Sequence, residues 1–292
     1  HYGQAIFEGL KAYRGNDDSI YLFRPTDNLK RMNVSAARMC MPEIPEDVVY
    51  SAIKKLVALD KDWVPRAEGA TLYIRPTMIA SEAGLGVRPA RQYIFFIINC
   101  PVGAYYPEGF NPVKIFVTEK YVRAVAGGVG NVKTAGNYAA SIMAAVEAQK
   151  QGYTQVLWLD AVERRYIEEV GTMNIFFLID DELITPPLTG SILPGITRDS
   201  VLRLTKDWGL QVSEKRITID DVLAANEKGS LQEIFGTGTA AVISPVGELN
   251  YKGQVCSINN GTTGKLAQKL FDELQAIQNG HKKDSYGWVV EV

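Results

Sequence analysis

The apolar positions of the chain alternate between strand-like runs and amphipathic stretches. Ser19 to Phe23 reads as a strand, and Arg24-Pro25 opens a helix predicted through Met39. Pro45 to Leu59 repeats apolar residues at roughly helical spacing (Val48, Ile53, Leu56, Val57) and predicts a second helix. Leu72 to Ile79 and Tyr93 to Asn99 are apolar and aromatic runs of strand length. Pro101-Val102-Gly103 and Pro107-Glu108-Gly109 then bracket a loop dense in turn formers, which marks an expected domain boundary at residues 99–112. Beyond it, strands are predicted at Val113 to Thr118, Val156 to Leu159, Asn174 to Ile179 and Glu182 to Thr185. Glu233 to Phe235 and Ala241 to Ile243 are strand-like. Helices are predicted over Asn137 to Lys150, Thr197 to Trp208, Asp220 to Asn226 and Gly264 to Gln278. The pattern gives two α+β units, 1–98 and the larger 113–292. The chain opens at His1-Tyr2-Gly3 inside a structured-looking segment, so the first unit is expected to lack its start.

Composition narrows the chemistry. With 31 Lys+Arg against 33 Asp+Glu, the formal charge of −2 leaves no net basic field for a phosphate backbone and argues against nucleic acid. The charged share of 22% and apolar share of 46% fit an ordinary globular chain. No apolar stretch approaches the ~18 residues that span a bilayer. Cys40, Cys100 and Cys256 are few, odd in number and widely spaced, which predicts buried thiols in a reducing cytoplasm. The two histidines, His1 and His281, sit at the chain end and in a polar tail, so neither a histidine triad nor a His-rich metal site is expected. Lysine, tyrosine, arginine or carboxylates must carry any chemistry.

Three segments are candidates. The glycine cluster from Gly127 to Gly136 contains Lys133-Thr134, but a P-loop needs glycine directly before that lysine, and Val132 stands there. A mobile loop with a solvated lysine is one reading. The other is a pocket lysine, since an Ala-rich helix and Tyr138 follow. Glu168 and Glu169 precede an apolar stretch. A strand would put them on opposite faces, and an inward carboxylate would need a cationic partner, whereas two solvated loop glutamates are the commoner arrangement. Pro194-Gly195 precedes a helix whose N-terminus would suit an anion, and Gly236 to Ala241 is a small-residue loop open to backbone contact with a ligand.

Together these segments resemble the class IV, fold-type IV pyridoxal-phosphate aminotransferases, most closely the branched-chain amino acid aminotransferases. The matching blocks are Phe7-Glu8-Gly9-Leu10-Lys11-Ala12-Tyr13, Tyr73-Ile74-Arg75-Pro76, Gly130-Asn131-Val132-Lys133, Glu169-Val170-Gly171-Thr172-Met173-Asn174 and Leu193-Pro194-Gly195-Ile196-Thr197-Arg198. They are spread over essentially the whole chain. The resemblance implies an α+β fold like that of D-amino acid aminotransferase: a small N-terminal α/β domain and a larger C-terminal domain with a β-barrel-like core and helices.

By position, the resemblance implies that Lys133 joins the aldehyde of pyridoxal 5'-phosphate and is the catalytic residue. It implies that Glu169 pairs with the pyridine nitrogen, Tyr138 with the phenolic oxygen, and Arg31 with the phosphate, a task that suits a planar guanidinium. Ile196 and Thr197 would add backbone N–H groups to the phosphate cup, and Thr239 its hydroxyl. Thr239 and Ala240 would also meet the substrate carboxylate through their amides, beside Tyr2, Tyr73 and Arg75. Phe7 and Tyr105 would wall the side-chain pocket. Leu85 and Val87 would reach the pocket of a partner subunit, which implies a homodimer. A Cys-x-x-Cys thiol switch found in some vertebrate members has no counterpart, because Ala241 and Ser244 occupy those positions.

The implied reaction is ping-pong transamination of leucine, isoleucine or valine with 2-oxoglutarate, with the freed Lys133 amine as general base. A D-amino acid aminotransferase, an aminodeoxychorismate lyase or a catalytically silent cofactor-binding sensor on the same fold are the alternatives. The Phe7-Glu8-Gly9 and Tyr73-Ile74-Arg75-Pro76 blocks favour the branched-chain type.

Overall fold

The structure is a computed structural model that describes residues 2–103 and 110–292. Its contacts group His1–Pro107, Val132–Gly136 and Asp272–Val292 into one compact unit, and Glu108–Asn131 with Asn137–Phe271 into a second. A single cut in the sequence near residues 99–112 does not capture this. Five residues around Lys133 and the last stretch of the chain belong with the N-terminal unit.

The first unit is built on a six-stranded sheet. Its strands are β1 (Ala5–Phe7), β2 (Leu10–Arg14), β3 (Ile20–Phe23), β4 (Thr71–Ala80), β5 (Tyr93–Val102) and, from the end of the chain, β15 (Val289–Glu291). They run β1-β4-β2-β3-β15, with β5 also pairing β4 and every pairing antiparallel. Helices α1 (Pro25–Arg38) and α2 (Glu46–Leu59) contribute Leu29, Met32, Ala36, Ile53 and Val57 to one core with Leu22, Leu72 and Ile74. Each such fully buried large aliphatic side chain contributes about 1.5–3 kcal/mol. In α2 the buried stripe is Val49, Ile53 and Val57, at i, i+4 and i+8, while Val48 is 58% exposed. β4 alternates strictly between Leu72 and Met78, so the inward Leu72, Ile74, Pro76 and Met78 leave Tyr73, Arg75 and Thr77 on the opposite face.

The second unit holds a nine-stranded sheet in the order β11-β10-β9-β12-β13-β6-β7-β8, with β14 on β13. Its strands are β6 (Val113–Val117), β7 (Gln155–Leu159), β8 (Ile167–Val170), β9 (Asn174–Ile179), β10 (Glu182–Thr185), β11 (Gln211–Glu214), β12 (Leu231–Gly238), β13 (Val242–Tyr251) and β14 (Gln254–Ser257). The pairings β13–β6, β6–β7 and β10–β11 are parallel and the others antiparallel. Trp158, Phe176, Phe177 and Phe235 fill its core, and the rings of Phe176 and Phe235, in register across β9 and β12, stack at 5.3 Å. Helices α3 (Ala135–Lys150), α4 (Ile196–Asp207), α5 (Ile219–Glu227) and α6 (Lys265–Gln278) complete the fold. The buried Glu233 of β12 accepts the amides of Leu266 and Ala267, closing the start of α6 with a negative charge at its positive end. The expectation of three buried thiols is corrected: Cys256 is buried against β13, but Cys40 ends the turn after α1 and Cys100 lies on β5, and both are exposed.

Candidate active site

Lys133 is mounted by its backbone. Its N–H donates to the Ser35 hydroxyl at 3.0 Å, and its carbonyl accepts the Phe7 amide at 3.1 Å. Ser35 in turn donates to the Arg31 carbonyl one turn earlier in α1. Thr134 adds a hydroxyl bond to the Ala5 carbonyl and a bridge to Ile6. The lysine is thus tied to β1 on one side and α1 on the other, inside a glycine-rich stretch that belongs to no named strand. The solvated-lysine reading does not hold: burial, then the charges of Arg31 and Arg75, outweigh the opposing pull of Glu8 and Tyr73 and bring the amine down to about 8.

Glu8 is fully buried, and Arg31 grips it in a two-point fork, Nε to Oε1 at 2.8 Å and Nη2 to Oε2 at 2.9 Å. Asn28 Nδ2 and the Gly9 amide also donate to Oε2, at 2.9 and 3.2 Å. Asn28, Arg31 and Ser35 lie at i, i+3 and i+7, so a single stripe of α1 serves both Glu8 and Lys133. Burial pushes the Glu8 carboxyl up, but Arg31, Lys133 and Asn28 outweigh it and hold it below the ordinary carboxylate range. The sequence block contained Glu8 without giving it a role. Its partner is 23 residues away on another element.

Phe7, Tyr73 and Arg75 are brought together with Lys133. The Phe7 ring lies 4.9 Å from the Lys133 amine and 4.6 Å from the Arg75 guanidinium carbon. Arg75 Nη2 donates to the Tyr73 hydroxyl at 3.0 Å, while its buried Nε has no hydrogen-bond partner. The Tyr73 hydroxyl sits directly over Gly9, where a Cβ would lie 1.9 Å from it, so only glycine admits this placement. Tyr2, 56% exposed, donates its hydroxyl to the Leu85 carbonyl at 2.6 Å. Leu85 and Val87 are 83% and 85% exposed in the β4–β5 connection. Tyr105 lies outside the described residues.

In the second unit, β8 carries Glu168 and Glu169, and both are buried. The two-solvated-glutamates reading is corrected: β8 pairs along β7 within the protein, and neither face of it meets solvent. The cation demanded by an inward carboxylate is Arg123, whose Nη2 lies 2.5 Å from Glu169 Oε2 and also reaches the Ser191 and Gly130 carbonyls. Asn174 Nδ2 donates to Glu169 Oε1 at 3.0 Å and to the Leu193 carbonyl at 2.9 Å. Asn174 is packed on Gly195, where a Cβ would lie 2.0 Å from its Oδ1. Ser191 donates to Glu168, whose other oxygen is buried without a partner. Burial raises the Glu168 carboxyl, with Ser191 and Arg123 opposing.

Also in this unit, α4 begins at Ile196 with Gly195 as its N-cap, and Thr197 is buried in its first turn. A glycine cap offers the leading amides no side-chain acceptor, an arrangement suited to an anion. Thr239, Ala240 and Ala241 connect β12 to β13 and are half-buried. Val242 follows with φ 62°, a left-handed conformation that costs a β-branched residue about 1–3 kcal/mol and clusters at ligand-contacting turns. Tyr138 is half-buried in the first turns of α3.

The half-buried Lys133, the paired Glu169 on β8 and the glycine-capped start of α4 are set in a fold with known relatives. The chain matches the model of amino-transferase class IV over residues 5–249 and belongs to that family. It is 58% identical over all 292 residues to branched-chain-amino-acid aminotransferase 2 of Bacillus subtilis, and covers 80% of that protein. It is 54% identical to branched-chain-amino-acid transaminase 1 of the same organism, again over its full length and 82% of the relative. Among solved structures it is similar to the branched-chain aminotransferase of the archaeon Thermoproteus uzoniensis with norvaline (TM-score 0.84, 29% identity, 99% of this chain and 90% of that one). It is likewise similar to the T.th. branched-chain amino acid aminotransferase with pyridoxamine 5'-phosphate (TM-score 0.85, 30% identity, 99% of this chain and 90% of that one). The expected two-domain class IV fold is therefore the fold of this chain.

Proposed function

We propose that this chain transfers the amino group of leucine, isoleucine or valine to 2-oxoglutarate with pyridoxal 5'-phosphate as cofactor, giving branched-chain 2-oxo acids and L-glutamate. The observation that carries it is Lys133, a half-buried lysine held in place through its backbone by two elements, its amine brought down to about 8 by desolvation and neighbouring arginines. The donor set fits the cofactor. Arg31 and the leading amides of α4 would hold the phosphate with Thr197 and Thr239, Tyr138 would meet the phenolic oxygen, and Glu169 would keep a proton on the ring nitrogen. When bound, the cofactor supplies the electron sink for the charge left at Cα. Lys133, as general base, would take the proton from Cα of the amino acid onto its amine. Arg75, whose buried Nε has no partner, and Tyr73 would meet the substrate carboxylate, a task proposed also for the amides of Thr239 and Ala240 and for the Tyr2 hydroxyl. Phe7 gives the aliphatic side chain an apolar wall, and Tyr105 is proposed as another.

A second copy of the chain would supply Leu85 and Val87. The outer face of β5 supports a dimer: Ile94, Phe96 and Ile98 stand 51%, 36% and 55% exposed in one row. The compartment proposed is the cytoplasm, in keeping with three free thiols. No helix among the described residues is long and apolar enough to cross a membrane.

A donor panel against 2-oxoglutarate tests the reading. Glutamate should form with L-leucine, L-isoleucine and L-valine, and loss of visible absorbance should follow each. Turnover with D-alanine alone would move the assignment to a D-specific enzyme, and colour indifferent to every amino acid would overturn catalysis.

A further inference from the structure

We infer that Glu8 is a positioning residue of this site, whose carboxylate fixes the direction of the Arg31 guanidinium and supplies the counter-charge to the Lys133 amine. The inference rests on the proposed role of Lys133, but its first test does not need the cofactor. Its geometry comes from the first unit alone. Glu8 sits in the turn between β1 and β2, fully buried, and both of its oxygens are occupied by Arg31, Asn28 and Gly9. A buried carboxylate tied this way is costly to build and confers little net stability, so a local chemical role is the natural account.

The groups facing the Lys133 amine make that role specific. Arg31 of α1 and Arg75 of β4 lower the Lys133 amine, Tyr73 of β4 and Glu8 oppose them, and Glu8 is the carboxylate among these groups. Lys11, buried on β2 opposite Tyr73, adds a further amine to the unit, itself brought down by burial to about 8. Without Glu8, Lys133 would lose the larger of the two groups that oppose Arg31 and Arg75, and its proton would leave at lower pH. Arg31 would also lose the acceptor that orients its Nε edge, letting the guanidinium turn from a bound phosphate. Charge and direction are separable consequences. Gln keeps the shape of Glu8 and removes its charge, whereas Asp keeps the charge and withdraws it by one methylene from the fork.

The experiment measures the rate at which Lys133 is acylated by a neutral amine-reactive ester as a function of pH. It is followed by peptide mass spectrometry in cofactor-free protein, with circular dichroism to confirm folding. Wild type should show a midpoint near 8, and Glu8→Gln one about one pH unit lower. Glu8→Asp should leave the midpoint within a few tenths of a unit but weaken the affinity for inorganic phosphate and for the cofactor roughly tenfold, read by fluorescence titration. A midpoint unmoved in folded Glu8→Gln would overturn the inference. If Glu8→Gln fails to fold, Glu8→Asp with unchanged phosphate affinity would do the same. A wild type with the expected midpoint that never couples to the cofactor would instead sink the proposed function and leave the role of Glu8 standing.

Discussion

The two units each bury a carboxylate with the same pair of partners, one arginine and one asparagine amide, yet they build opposite local charge. In the first unit Glu8 meets Arg31 and Asn28, with Lys133 and Arg75 close by, so one anion stands among three cations. In the second, Glu169 meets Arg123 and Asn174, and Glu168 lies on the other face of β8, so two carboxylates share one arginine. The supports differ as well. Asn28 and Arg31 come from one stripe of α1, whereas Arg123 comes from a loop and Asn174 from the first residue of β9, both tied to main-chain carbonyls. A positive cluster suits phosphate and carboxylates, and a negative one suits a protonated ring nitrogen. A formal charge of −2 for the chain conceals both.

Lys133→Ala should do most to break the comparison on the catalytic side. Turnover is expected to fall by about 10⁴-fold or more, because the proposed nucleophile and base would be lost together. Borohydride treatment should attach cofactor to the Lys133 peptide in wild type, and an adduct that persists in the variant would refute the assignment. Next in size is Arg123→Met, which leaves Glu169 buried without its cation. About 3–5 kcal/mol of stability should disappear in urea unfolding, less if the carboxylate takes up a proton. Gly9→Ala should act through Tyr73 by pushing its hydroxyl away from Arg75. KM for the amino acid should rise about tenfold, or ~1.4 kcal/mol, with little change in melting temperature. An unchanged KM would show that Tyr73 does not serve the substrate.

Glu168→Gln should have the smallest effect and the opposite sign. Burial raises this carboxyl above its ordinary value, so folding favours its protonated form more than the unfolded chain does. That stability is full at acid pH and is lost as pH climbs through the raised value. The Gln variant should match wild type in acid and melt higher at neutral pH. A variant less stable at neutral pH would show that the charged form is needed.

Much of the framework was legible in the sequence because burial imposes a period. Asn174 to Ile179 and Glu182 to Thr185 coincide with β9 and β10, and α1, α2, α4 and α6 fall within a residue or two of their expected bounds. The strands that escaped are short or mixed: β1 and β15 have three residues each, β8, β11 and β14 four each, and β2 inserts Lys11 between apolar neighbours. Lysine seldom lies buried, so composition argued against a strand that register with β4 enforces. At the site, Lys133 and Glu169 stood out through motifs. Arg123 did not, because it lies in a loop without periodicity, and its link to Glu169 spans elements that no local pattern joins. The need for such a cation was visible even so, once two adjacent glutamates preceded an apolar run.

The five residues Val132–Gly136, flanked on both sides by chain of the second unit, have a consequence for how the protein is made. The lysine is synthesised well after the strand and helix that mount it, and the sheet containing that strand is finished only when Val289–Glu291 pairs with β3. Contacts so distant along the chain form slowly. The mount of Lys133 is closed by contacts 98 and 129 residues apart along the chain, to Ser35 and from Thr134 to Ala5, so it forms with the tertiary fold and not with any local segment.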